Sequence, residues 1–103
     1  MSRDVPVFVV HQSGHMAALN SKAFDLVGYT AATSDPEGGV IQRKPGSREP
    51  SGVLEETAWT SVIPKVFSNV GPTGMRSLAE AGAQLWASYG YTTAQEGRSN
   101  KGL

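Results

Sequence analysis

The sequence predicts a mixed α/β chain ordered strand, helix, hairpin, helices, strand. Three observations carry this. Val5 to Val10 is a continuous apolar run without polar alternation, the pattern of a strand buried on both faces. Met75, Leu78, Gly82, Leu85 and Tyr89 fall at helical spacing on one stripe. Between them, residues 33–54 are rich in Gly, Pro, Ser and charge, with two short apolar runs inside.

Pro6 lacks an N–H and belongs at the start of the first strand, expected over Val5–His11. His11-Gln12-Ser13-Gly14-His15 ends that run with polar residues and a glycine. A helix is expected over Met16–Val27, with Leu19, Ala23, Leu26 and Val27 on its apolar face and Gly28 as a left-handed cap. Gly39 to Arg43 and Gly52 to Leu54 read as the arms of a hairpin turning through Lys44 to Pro50. Glu55 to Val62 can form a short helix, with Glu55-Glu56 as its acidic first turn, before Pro64 interrupts it. The main helix is expected over Thr73–Tyr89, with Pro72 in the first turn and Gly90 at the end. Tyr91 to Gln95 reads as a second buried strand. A strand–helix–strand crossover is nearly always parallel and right-handed. Ligands gather at the carboxyl edge of parallel strands, so His11–His15 and Gln95–Arg98 are expected at one edge.

The bulk numbers narrow the function classes. A chain of 103 residues suits one domain with a modest core. Lys+Arg and Asp+Glu are 9 each, so no basic excess points to nucleic acid or an anionic membrane. With no cysteine, disulfides and thiolate metal sites are excluded. The run Val5–Val10 is too short for a signal peptide with its flanks and far too short to span a bilayer. The expected location is cytoplasmic.

Several residues invite a chemical role. His11 and His15 stand at i, i+4, a spacing that can bind zinc on a helix, but Gly14 and the missing glutamate argue against that pattern. A histidine that orients a substrate or caps a helix is the better reading. Ser13 lacks the preceding glycine of a nucleophile elbow and is expected to cap the following helix. Glu96 follows the second strand and can serve as a base, although a solvated loop glutamate is the simpler role. Gly38-Gly39 and Gly71-Pro72-Thr73-Gly74 match no phosphate loop, and Trp59 and Trp86 are expected in the core.

Read together and in order, these segments resemble the amidohydrolase 3 family, the YtcJ-like metal-dependent amidohydrolases. Pro6 to His11, Ser13-Gly14-His15 and Asn20-Ser21-Lys22-Ala23 carry the first part of the likeness. Asp35-Pro36-Glu37-Gly38-Gly39-Val40-Ile41 and Glu49 to Glu56 resemble the family's Pro-x-Gly-Gly and Gly-x-Leu-x-Glu blocks. Gly90 to Gly97 resembles its next barrel strand.

The resemblance implies a fragment of a (β/α)₈ TIM-type barrel: residues 1–103 as a single partial domain with a small β insertion at about 33–54. It implies hydrolysis of non-peptide C–N bonds in a small amide-type substrate, with a divalent metal of the zinc type in the complete enzyme. The family's His-x-His pair, bridging lysine, later histidines and final aspartate are not in this sequence. The chain alone is therefore expected to be inactive and to bind no metal. By position, His15 would face the substrate and can donate a hydrogen bond to its carbonyl oxygen, with Ser13, Asn20 and Gln95 as further substrate contacts and Glu96 as a second catalytic candidate. Open strand edges imply self-association. The rival readings are a small self-standing α/β domain that binds a ligand or partner without catalysis, and a scaffold whose hairpin mediates assembly.

Overall fold

A computed structural model of the chain describes residues 2–68 and 70–95. The chain divides into two compact units, Met1–Phe67 and Ser68–Leu103. The first unit is built on a four-stranded sheet of β1 (Phe8–Val10), β2 (Met16–Leu19), β3 (Gly39–Arg43) and β4 (Pro50–Glu56). Its spatial order is β1-β2-β4-β3 and every pairing is antiparallel. Helix α1 (Ser21–Val27) follows β2, and the short helices α2 (Thr57–Thr60) and α3 (Ile63–Val66) follow β4. The second unit contains α4 (Gly71–Ser88).

The barrel architecture expected from the sequence is not what forms. The reason lies in the connection after the first strand. Gly14, at φ 78°, donates its N–H to the His11 carbonyl at 2.8 Å, and His11 N–H reaches the Met16 carbonyl at 2.9 Å. A turn this short returns the chain antiparallel, whereas a parallel neighbour needs a crossover of a dozen or more residues. Phe8 therefore pairs with Leu19 and Val10 with Ala17. As an edge strand, β1 is not buried on both faces: Val5, Val9 and Val10 stay about half exposed.

Met16–Leu19, expected as helix, is thus strand. Helix α1 starts only after Asn20, whose Oδ1 accepts the Ala23 N–H at 2.9 Å as an N-cap. Gly28, at φ 81°, closes it with its N–H on the Phe24 carbonyl. The hairpin expected between Gly39 and Leu54 is present as β3 and β4, with Ile41 opposite Leu54 and Arg43 opposite Pro50. The pairing is irregular between Ile41 and Arg43, where Gly52 adopts φ 127°. Glu55 and Glu56 belong to β4 and not to a helix's first turn. Among the second unit's described residues, 91–95 form no strand; Tyr91 instead sets its ring edge against Trp86, centroids 4.8 Å apart. Trp86, expected in the core, is half exposed. The parallel carboxyl edge at which His15 and Gln95 were expected to meet is therefore absent among the described residues.

The core of the first unit lies on one sheet face. Ala17, Leu19, Ile41 and Leu54 point to it by strand alternation, and Ala23, Phe24 and Val27 of α1 pack with Ala58 and Trp59 of α2 and with Val62. Ile41, Leu54 and Val27 are its largest fully buried side chains, each contributing about 1.5–3 kcal/mol by leaving water. Gly39 lets the start of α2 approach β3: a Cβ there would stand 2.3 Å from the Ala58 nitrogen and 2.9 Å from the Glu55 oxygen. Those neighbours are backbone and yield little. Gly39→Ala should lower stability by about 1–3 kcal/mol or more, whereas Gly82→Ala, in open space on α4, should raise it by up to about 1 kcal/mol. Urea midpoints that move in the same direction for both variants would contradict this packing.

Candidate functional site

Strands β2 and β4 pair with Met16 opposite Glu55 and Ala17 opposite Leu54, so the next residues outward, His15 and Glu56, face each other. Glu56 donates its N–H to the His15 carbonyl at 2.7 Å. The side chains meet as well, with His15 Nδ1 2.9 Å from Glu56 Oε2. Both lie on the side of the sheet that carries Leu54 and Ala17, at the rim of the core.

The backbone of Glu56 is unusual. Its φ of 50° and ψ of −123° place it in a region favoured by glycine, and among the described residues it is the one non-glycine with positive φ. Such strain costs of order 1–3 kcal/mol. The ion pair does not offset it: the two side chains are 59% and 57% exposed, and pairs this exposed contribute about 0–1 kcal/mol. The surrounding backbone must hold Glu56 in place. Gly39 stands opposite it across β3, Thr57 Oγ1 donates to the Glu37 carbonyl at 2.6 Å, and Gly39 N–H reaches the Pro36 carbonyl at 3.1 Å. The Ser-Gly-His, Pro-x-Gly-Gly and Gly-x-Leu-x-Glu segments thus converge on one corner of the sheet.

Ser13 lies in the β1–β2 turn and caps no helix. It accepts the His15 N–H at 3.2 Å, lies 2.9 Å from His11 Nδ1 through its hydroxyl, and donates its own N–H to that nitrogen at 3.2 Å. Asn20 works within the chain: Oδ1 accepts from Val7 and Ala23, and Nδ2 donates to the Ser2 and Val5 carbonyls, both at 2.8 Å. Gln95 is an exposed residue of the second unit, and Glu96 lies outside the described residues. Glu56 was missed as a site residue because Glu55-Glu56 reads as a helix start; the alternation Leu54–Glu56 along a strand that outlasts the hairpin is the signal that would have found it.

The amidohydrolase family matches this sequence over residues 1–102. The chain belongs to the amidohydrolase family. It is 44% identical over 61 residues to the protein LONG AFTER FAR-RED 3 of Arabidopsis thaliana, an overlap of 59% of this chain and 10% of that relative. The chain thus spans about a tenth of the length of the curated relative it matches. No solved structure matches it.

The metal that this amidohydrolase resemblance implies does not fit the residues on view. Among the described residues no three His, Asp or Glu side chains gather, whereas catalytic zinc commonly takes three protein ligands. No helix among them is long and apolar enough to cross a membrane. An open groove of about 490 Å³ runs past Arg3, Asn20, Lys22 and Lys44, but His15 and Glu56 do not line it. Its lysines are engaged, Lys44 with Glu49 at 2.6 Å and Lys22 with Asp25 at 3.9 Å. At the other end of β2 from His15, Asn20 ties the N-terminal segment to the start of α1. Asn20→Ala removes a cap and three further hydrogen bonds and should cost about 1–3 kcal/mol. A thermal midpoint unchanged in Asn20→Ala would show that these bonds contribute little.

Proposed function

We propose that this chain is a segment of a metal-dependent amidohydrolase that cleaves non-peptide C–N bonds, and that it supplies part of the wall facing a small amide-type substrate. The observation that carries the proposal is the His15–Glu56 pair, formed where three of the family's segments converge and strained in a way its own stability does not explain. Strain of this kind gathers at functional sites. In this reading His15 touches the scissile group, and Ser13 shapes the turn that presents it. A divalent metal, where the complete enzyme uses one, is held by residues that the described part of the chain does not supply. Self-association belongs to the same proposal: the outer edge of β1, flanked by Val5, Val9 and Val10, offers backbone groups to which a second strand can add.

The experiment is His15→Ala and His15→Asn in a full-length relative, with folding and metal content measured alongside turnover. Loss of a side chain in direct contact with the scissile amide should lower turnover by roughly 10²-fold or more, the effect of losing a positioned acid–base group. Turnover that survives, or that falls only as the protein unfolds, would make His15 a structural residue.

A further inference from the structure

We infer that Glu56 is a positioning residue for His15: it fixes the imidazole as the Nδ1-protonated tautomer, so that neutral His15 presents Nε2 as a hydrogen-bond acceptor. This rests on the reading that His15 faces the substrate, and it names what His15 can contact there. An ionised carboxylate only accepts hydrogen bonds. The 2.9 Å contact between Glu56 Oε2 and His15 Nδ1 therefore puts the proton on Nδ1 and leaves the lone pair on Nε2, since the bond made by one ring nitrogen sets the state of the other. A neutral acceptor pairs with a donor on the ligand, and in an amide that donor is the N–H and not the carbonyl oxygen. Only as an imidazolium would His15 also donate from Nε2, and the Glu56 carboxylate would then lie beside the added charge.

The same turn holds an opposite case. His11 Nδ1 accepts the Ser13 backbone N–H at 3.2 Å, so its proton belongs on Nε2. Four residues apart, the two histidines thus present opposite polarity. Glu56 does not cap α2 with its side chain; the carboxylate is committed to His15. Register sets that carboxylate opposite β2, and a glycine in its place would relieve the backbone strain and lose the pairing.

The test uses the 103-residue chain, ¹⁵N-labelled, with long-range ¹H–¹⁵N spectra of both imidazoles recorded where they are neutral. In the native chain His15 should show a protonated Nδ1 and a bare Nε2, and His11 the reverse. In Glu56→Ala and Glu56→Gly, His15 should shift toward the Nε2-protonated form while His11 is unchanged. Glu56→Gly should melt above Glu56→Ala and no lower than the native chain, because glycine accepts the positive φ. A native His15 protonated on Nε2, or a tautomer indifferent to both substitutions, would overturn the inference. So would a Glu56→Gly chain melting well below the native one, since the pair would then be a structural tie. None of these readouts uses turnover, so the positioning role can fail while the proposed chemistry stands, and the reverse.

Discussion

The first unit depends on β4. It is one of the two inner strands, with β2 on one side and β3 on the other, and its Leu54 is fully buried in the core. Register on β4 therefore sets the face of every neighbouring side chain. Leu54 inward against Ala17 and Ile41 dictates that Glu56, two residues on, emerges on the same face opposite His15. A slip by one residue would turn Glu56 to the other side and bury Glu55 or Val53 in place of Leu54. The apolar contacts of the core and the polar pair at its rim are thus fixed by one alignment.

That alignment is held by features whose sequence positions are far apart. Gly39 permits the backbone of residues 55–58 to come close to β3, and the Thr57 hydroxyl binds the Glu37 carbonyl. Arg43 ties down the long loop before β3, donating to the Thr30 and Arg48 carbonyls from Nη1, and to the Thr33 carbonyl and Asp35 from Nη2. A loop without regular structure thereby keeps a fixed path, its Thr30 and Thr33 carbonyls held by one guanidinium and its Ala31 carbonyl by Arg48. The Pro-x-Gly-Gly segment reaches β4 at a defined place because of that path.

What was legible in the sequence followed the range of the interaction. The β3–β4 hairpin and α4 rest on local patterns, turn residues and a helical stripe, and both are found where those patterns lie. Topology rests on how elements meet, which local patterns do not record. The unalternating run Val5–Val10 suited a buried parallel strand, but nothing in the run itself records that Gly14 turns the chain straight back. The stripe Leu19–Ala23–Leu26–Val27 also misled: Leu19 belongs to β2, Leu26 is exposed, and Phe24 is buried in its place. Asn20 was the corrective signal, since Asn-Ser-Lys-Ala is a helix start and excludes helix before it. His15 was singled out from sequence, but its partner lies 41 residues away, and no local pattern exposes a cross-strand pair at that distance.

The same distinction of range separates the two hydrogen-bonded histidines. Ser13 and His11 lie two residues apart and meet through the turn itself; a contact of that kind forms wherever the local chain bends so. It looks like the beginnings of a nucleophile and base, yet the Ser13 oxygen already accepts the His15 N–H and His11 Nδ1 already accepts the Ser13 N–H. With Nδ1 occupied as an acceptor, it is poorly disposed to take a proton from the serine. The His15–Glu56 contact has no local cause. It exists only when β2 and β4 are aligned, and it requires a glutamate in a conformation that glutamate disfavours. Of the polar arrangements at this corner, it is the one that needs both a long-range alignment and a backbone conformation its residue disfavours, and the proposed function rests on it.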